Sequence, residues 1–214
     1  MTTELVQPTL PRKWYEIWSD IWRHPGVTSF QGLLNEPDHS PKRGYKWIAV
    51  TSLIAAILAS LGSSGIFRSL QSDFGSIFIY YVCTVILSPI FGIIGLIISS
   101  GIYHVISRLF KGNGKWSDLV ICSAVVLAPV ELVGGVISLI ILLFAQIPAA
   151  FIIPWLLSVA VSIYSIVLYV NALKTAENIT TGQAVLTYFL PTIIVGLLAL
   201  CLSLAIIPAF VTNR

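Results

Sequence analysis

The chain has 214 residues, of which 57% are hydrophobic and only 10% are charged, and its mean hydropathy is +0.92. A soluble domain carries roughly a quarter charged residues, because water must wet its surface, so these values exclude a soluble globular protein. The net charge of +3 is too small to indicate a nucleic-acid-binding surface. Long runs of Leu, Ile and Val exclude a disordered chain. We therefore expect an all-α integral membrane protein.

The first 46 residues form a polar N-terminal segment, and residues 13–23 within it show helical periodicity. On a helical wheel, Trp14, Trp18 and Trp22 share one arc with two isoleucines, and the charged residues fall on the other arc. Tryptophan is enriched at the headgroup boundary. The pattern predicts an amphipathic helix in the cytoplasmic membrane interface, with the three tryptophans as anchors. The alternative is a helix packed on the ends of the bundle, with tryptophan facing protein.

Residues 35–44 contain two prolines and a glycine, and this composition predicts a polar linker between the helix and the first span. Lys42, Arg43 and Lys46 lie at its end, where anionic lipid attracts basic side chains. An ordinary positively charged flank explains the same residues.

Five apolar runs follow and predict a membrane domain over residues 47–210. The predicted spans are 47–67, 74–108, 118–146, 149–173 and 183–210. The second is longer than one untilted crossing requires, so we expect it to be tilted. The third and fourth share one apolar stretch, which we divide at Gln146-Ile147-Pro148 because a proline ends or kinks a helix. Thr180 and Gln183 fit a capping box at the start of the fifth.

The distribution of Lys and Arg predicts the orientation. With the N-terminus inside, ten basic residues face the cytoplasm and two, Arg68 and Arg214, face the other side. We therefore predict a cytoplasmic N-terminus and an outer C-terminus, in the cell membrane.

No pattern in the sequence joins a nucleophile to a base or supplies metal ligands at a known spacing. The histidines lie in three separate segments, and the cysteines fall inside apolar runs, where they behave as small apolar residues: His24, His39, His104, Cys83, Cys122 and Cys201. We expect a non-enzymatic protein that requires no metal or cofactor.

Glu131 is the one acidic residue deep within a predicted span. A carboxyl in hydrocarbon is costly, so it should face protein or water. One interpretation is an ion- or proton-linked site. The other is a neutral carboxyl that is hydrogen-bonded within the bundle for structural reasons.

Counting residues inward from the start of each span indicates which groups share the depth of Glu131. The count reaches Ser60 in the first span, the stretch containing Ser88 and Gly92 in the second, and the turn before Tyr164 in the fourth. A nearby proline in the second span frees a backbone carbonyl at this depth. We predict that Glu131 faces inward, in a small polar pocket near Ser88 and Gly92.

Four short motifs resemble those of the Yip domain family in its prokaryotic-type members. They are Trp22-Arg23-His24-Pro25 followed by Phe30, Phe110-Lys111-Gly112-Asn113-Gly114-Lys115-Trp116-Ser117-Asp118-Leu119, Ala128-Pro129, and Thr180-Thr181-Gly182-Gln183-Ala184. The resemblance implies five spans, a cytosolic N-terminus and a non-enzymatic role. Eukaryotic members act in vesicle traffic and bind Rab-type GTPases. The resemblance does not imply Rab binding for this chain, because the sequence has no counterpart of the tyrosine, glycine and proline motif of the eukaryotic members.

Two functions remain. The first is a membrane organiser or trafficking-type scaffold that acts through the N-terminal helix, the bilayer and protein partners. The second is a permease or channel for a small solute or ion, organised around Glu131. A wet cavity at Glu131 favours the second function, and a dry, close-packed bundle favours the first.

Overall fold

The computed structural model describes residues 12–69, 74–143 and 152–211. These residues form seven α-helices: α1 (Trp14–Arg23), α2 (Val27–Leu34), α3 (Pro41–Ser69), α4 (Phe74–Leu109), α5 (Trp116–Leu143), α6 (Ile152–Glu177) and α7 (Thr181–Val211). Helices α3 to α7 are long and apolar enough to cross a membrane. The predicted all-α fold with five spans is confirmed. The division at Gln146-Ile147-Pro148 lies outside the described residues.

The N-terminal segment contains more helix than its sequence predicts. Helix α2 was not predicted, and it buries Phe30 and Leu33 completely. Helix α3 begins at Pro41, so the predicted linker over residues 35–44 is wrong at its C-terminal end. Proline fits the first helical position because the amide it lacks would have no intrahelical partner there. The first apolar helix therefore starts six residues before residue 47.

The start of α7 is capped as predicted. The backbone amide of Thr180 donates to Oε1 of Gln183 at 2.9 Å, and the amide of Gln183 donates to the Thr180 hydroxyl at 3.4 Å. These reciprocal bonds satisfy amides that the first turn of a helix leaves unpaired. The capping box places the first residue of α7 at Thr181.

Helices α3 and α5 form the most extensive contact in the bundle. Glycine makes this approach possible at two levels. A Cβ added to Gly44 would lie 2.9 Å from Cβ of Ala124, and one added to Gly135 would lie 2.9 Å from Cα of Ala55. Small residues allow two membrane helices to approach closely and to gain dispersion energy along the contact. Helices α4 and α6 pack against this pair, and α7 packs against α4 and α6.

Two turns lie side by side at one end of the bundle, which we call the turn face. They are the α4–α5 turn (residues 110–115) and the α6–α7 turn (residues 178–180). The Asn113 amide donates to the Glu177 carbonyl at 3.1 Å, and the Asn178 side chain donates to the Asn113 side chain at 3.1 Å. Gly114 is required here, because an added Cβ would overlap the Ala176 carbonyl. Helix α2 lies beside these turns, because its Gln31 and Leu34 line one cavity with Asn113 and Lys115, and α1 packs against α2 and α5.

Candidate functional site

Glu131 is half-buried on α5, and hydroxyl groups of α3 hold its carboxyl. Its Oε2 accepts a hydrogen bond from Thr51 Oγ1 at 2.9 Å and another from Ser52 Oγ at 2.8 Å. Among the described residues, hydrogen bonds reach only this one of its two oxygens. Glu131 therefore crosslinks the α3–α5 contact while its Oε1 remains available.

Thr51 and Ser52 were not among the predicted site residues. The depth count began at residue 47, but α3 begins at Pro41, so Ser60 was placed too close to the level of Glu131. The Ser60 hydroxyl donates to the Ile57 carbonyl of its own helix. Two adjacent hydroxyl residues in the first apolar run were the available signal, and a correct helix start would have moved the count towards them.

Two cavities meet at Glu131, together with Phe91 and Gly92. One, of about 410 Å³, lies between α3, α4 and α5, and Ser52 and Ser88 also line it. The other, of about 420 Å³, lies between α4, α5, α6 and α7. The structure thus brings Glu131, Ser88 and Gly92 together on one cavity.

Ser88 and Gly92 both lie beside Ser52, which in turn donates a hydrogen bond to Glu131. The Ser88 hydroxyl lies 3.2 Å from the Ser52 carbonyl and 3.1 Å from the Val85 carbonyl, and it can donate a hydrogen bond to either of them. Val85 precedes Pro89 by four residues, so its carbonyl has no amide partner in the helix. At Gly92, an added Cβ would overlap the Ser52 hydroxyl. The absence of a side chain there leaves room for that hydroxyl beside Glu131.

Tyr164 lies away from this site. It is absent from the residues that line either cavity at Glu131. Its hydroxyl donates to the Trp22 carbonyl at 2.5 Å, and its ring centroid lies 5.5 Å from that of Trp22. Depth counting compares levels along a helix but not the direction of a side chain. Tyr164 faces α1.

The three tryptophans of α1 have different surroundings. The helix buries Ile17 and Ile21 completely. Trp18 packs edge-on against Trp47 of α3, with centroids 6.0 Å apart, and Trp22 packs against Tyr164 as described. Trp14 is 52% exposed. Trp18 and Trp22 thus contact protein, and the insertion of α1 into the membrane interface remains a prediction.

We call residues 12–40 the α1–α2 platform. Ion pairs between one carboxylate and two arginines attach it to the bundle. Glu36, whose side chain is 8% exposed, accepts from Arg12 Nε at 2.5 Å and from Arg43 of α3 at 2.8 Å. Arg12 also pairs with Asp20 of α1 at 3.0 Å. Burial lowers the pKa of Arg12, but hydrogen bonds to Glu36 and Asp20 outweigh it, so the pKa is raised.

A second attachment joins the platform to α6. The Asn171 side-chain amide donates to the Pro25 carbonyl at 2.7 Å, next to the bond from Tyr164. The platform is thus attached to both α3 and α6, and these two attachments fix its position on the bundle.

His104 and Glu177 form another polar contact that sequence spacing did not predict. Nδ1 of His104 lies 2.7 Å from Oε1 of Glu177, and Glu177 is completely buried. The contact joins the end of α4 to the end of α6. It stabilises the helix ends from which the two turns depart.

Residues 19–203 match the Yip1 domain family. This range includes most of the platform and all five spans. The chain belongs to the Yip1 domain family. No match is found among curated proteins or among solved structures. Within the described residues of this Yip1 domain, no group of three or more His, Cys, Asp or Glu is placed to hold a metal ion.

Three of the four motifs behind the resemblance meet at the turn face of the Yip1 domain. In the motif that begins at Trp22, the Pro25 carbonyl accepts a hydrogen bond from Asn171 of α6. The Phe110 carbonyl, in the motif of the α4–α5 turn, accepts one at 3.4 Å from the side chain of Gln183, in the motif that begins at Thr180. The remaining motif, Ala128-Pro129, lies one turn or less from Glu131 on α5. The motif residues thus concentrate at the platform end and beside the membrane carboxyl.

Proposed function

We propose that this Yip1 domain protein is a non-enzymatic membrane organiser, a trafficking-type scaffold that recruits a protein partner to the cytoplasmic membrane surface through its α1–α2 platform. The observation that carries the proposal is the attachment of the platform at two places, through Glu36 to α3 and through Pro25 and Trp22 to α6. Residues 12–40 are therefore part of the folded domain.

A fixed platform suits recruitment because its exposed side chains are already in place before a partner binds. Exposed charged residues on α1 and its ends include Lys13, Glu16 and Arg23. A preorganised surface loses less conformational entropy on binding than a flexible segment does. The platform can therefore bind a partner specifically without a large contact area.

The bilayer is the second partner in this proposal. Lys42 and Lys46 are exposed at the start of α3, and exposed Trp14 suits the headgroup region. Basic side chains beside a membrane attract anionic lipid, by about 1 kcal/mol each. These contacts would hold the platform against the cytoplasmic leaflet, as the charge distribution predicts.

Photocrosslinking tests the organiser proposal. A photoreactive amino acid is placed at Glu16 or at Arg23, and at Val105 on the exposed side of α4 as the matched control. We expect a discrete protein adduct from both platform positions and none from Val105. Arg43→Ala, at unchanged abundance in the membrane, should remove the adduct because it breaks the bond between Glu36 and α3. Absence of a platform adduct, or the same adduct from Val105, would contradict the proposal.

The two cavities at Glu131 favour a second candidate function, permeation of a small solute or ion. Their lining includes a carboxyl and serine hydroxyls within the membrane-spanning helices. A flux screen in proteoliposomes, comparing the wild type with Glu131→Gln, separates the two functions. The organiser proposal expects no flux above that of empty liposomes. Flux by the wild type that is lost in Glu131→Gln would contradict the organiser proposal and support the permease.

A further inference from the structure

The cavity between α4, α5, α6 and α7 has walls suited to a particular class of ligand. We call it the tyrosine cavity, after Tyr103, Tyr169 and Tyr188 in its lining. We propose that it binds a small organic ammonium cation, held between the Glu131 carboxylate and the tyrosine rings. This inference goes beyond the organiser function and does not depend on it.

The three tyrosines come from three helices and form one cluster. The ring centroids of Tyr103 and Tyr188 are 5.9 Å apart, those of Tyr169 and Tyr188 are 5.6 Å apart, and those of Tyr103 and Tyr169 are 6.0 Å apart. Ring faces attract a cation within about 6 Å, most strongly where water is excluded. Tyrosine rings around a cavity are the recognition chemistry of alkylammonium groups.

Glu131 supplies the opposite charge. The described residues that line the tyrosine cavity include no Lys, Arg or His, so the carboxylate has no basic partner across it. An unpaired charge within a membrane is costly, and a bound cation would offset that cost. Thr51 and Ser52 occupy only Oε2, which leaves Oε1 for an N–H donor or a cationic methyl group.

The size and polarity of the cavity favour an organic cation over an inorganic one. Its volume of about 420 Å³ falls in the usual range for small-molecule sites. A Cβ on Gly95 would meet nothing within 4 Å, so the space beside α4 is open. Leu96 and Leu127 provide apolar contacts for alkyl groups. A hard metal cation is usually bound by several carboxylate or carbonyl oxygens, and Glu131 is the only carboxylate or amide side chain among the described residues of the lining.

Calorimetry with a charged probe and its neutral analogue tests the inference. The protein is placed in phosphatidylglycerol nanodiscs, which contain no choline, and is titrated with choline or with 3,3-dimethyl-1-butanol, which has the same shape without the charge. We expect choline to bind in the millimolar range or tighter, and the alcohol to bind at least about tenfold more weakly. Sodium chloride at matched ionic strength should not displace choline.

Three variants and one control variant locate the binding. Glu131→Gln and Tyr188→Leu should each weaken choline binding at least about tenfold. Tyr188→Phe keeps the ring and should retain most of the affinity, which separates loss of recognition from loss of fold. Tyr164→Phe, on the same bundle but away from the cavity, is the matched control and should bind normally.

Equal affinity for choline and the alcohol would overturn the inference. So would no choline binding by the wild type, or choline binding that survives both Glu131→Gln and Tyr188→Leu. None of these results bears on the platform adduct expected of the organiser, so the two proposals fail separately.

Discussion

Among single residues, Glu131 places a carboxyl within a membrane-spanning helix, which is costly, and neighbouring residues are arranged to offset that cost. Ser52 reaches the carboxyl because Gly92 leaves space for its hydroxyl, and Ser88 binds the carbonyl of Ser52. The sequence could predict that such a carboxyl requires polar neighbours. It could not identify Thr51 and Ser52, because their approach depends on where α3 starts and on how α3 is rotated against α5.

Ser52→Ala tests the role of these hydroxyls in stability. The substitution removes a 2.8 Å hydrogen bond to a carboxyl inside the bundle, and we expect it to lower the free energy of unfolding by about 1–2 kcal/mol. Ser162→Ala is the matched control, because the exposed Ser162 hydroxyl binds only a carbonyl of its own helix. The control should change stability by less than about 0.5 kcal/mol. Equal losses in reversible unfolding in detergent would contradict the role given to Ser52.

Among helices, the α3–α5 contact shows how small residues set the geometry. Two neighbouring glycines on α5 differ in how much space surrounds them. A Cβ on Gly135 would press against the backbone of Ala55, and a Cβ on Gly134 would meet nothing within 4 Å. The same stretch of sequence thus contains one glycine that the packing requires and one that it does not.

Gly135→Val should therefore lower the free energy of unfolding by about 1–3 kcal/mol through overpacking. Gly134→Val introduces the same side chain one position away and should cost much less. Both variants are compared by chemical unfolding in the same detergent. A similar loss from both would show that valine is unfavourable in α5 for another reason, such as helix propensity, and would contradict the close α3–α5 contact.

Helix positions were predictable to different degrees. Hydropathy predicted α4 almost to its ends, and the Thr180–Gln183 capping box predicted the start of α7. Helix α2 was missed because eight residues between Gly26 and Asn35 give little periodic signal. A helix this short is not stable alone, and its stability comes from burial of Phe30 and Leu33. That burial requires the assembled bundle, which local sequence does not reveal.

For the whole molecule, the turn face combines the N-terminal platform, both inter-helix turns and most of the motif residues. Helix α3 starts at this face, α4 and α6 end there, and α5 and α7 start there. The described part of α7 therefore runs away from the platform. The charge distribution predicts that the turn face is cytoplasmic, because most Lys and Arg residues lie on this side.

Reporter fusions test this orientation. A reporter that is active only outside the cytoplasm should be active after residue 211 and silent before residue 12. Fusions in the α4–α5 turn should also be silent. They test the same side of the membrane at an internal position and so do not depend on the ends of the chain. Activity in the α4–α5 turn would reverse the orientation and would place the platform outside.

The central claim is that the α1–α2 platform is a fixed part of the membrane domain, and a distance measurement between spin labels tests it most directly. In a background without native cysteines, labels at Tyr15 on α1 and at Lys115 in the α4–α5 turn, both exposed, are measured in nanodiscs by pulsed electron resonance. We predict one narrow distance distribution, which Arg43→Ala broadens by removing the partner of Glu36 on α3. A broad distribution in the otherwise unchanged protein would contradict the claim, because it would show that the N-terminal segment moves independently of the bundle.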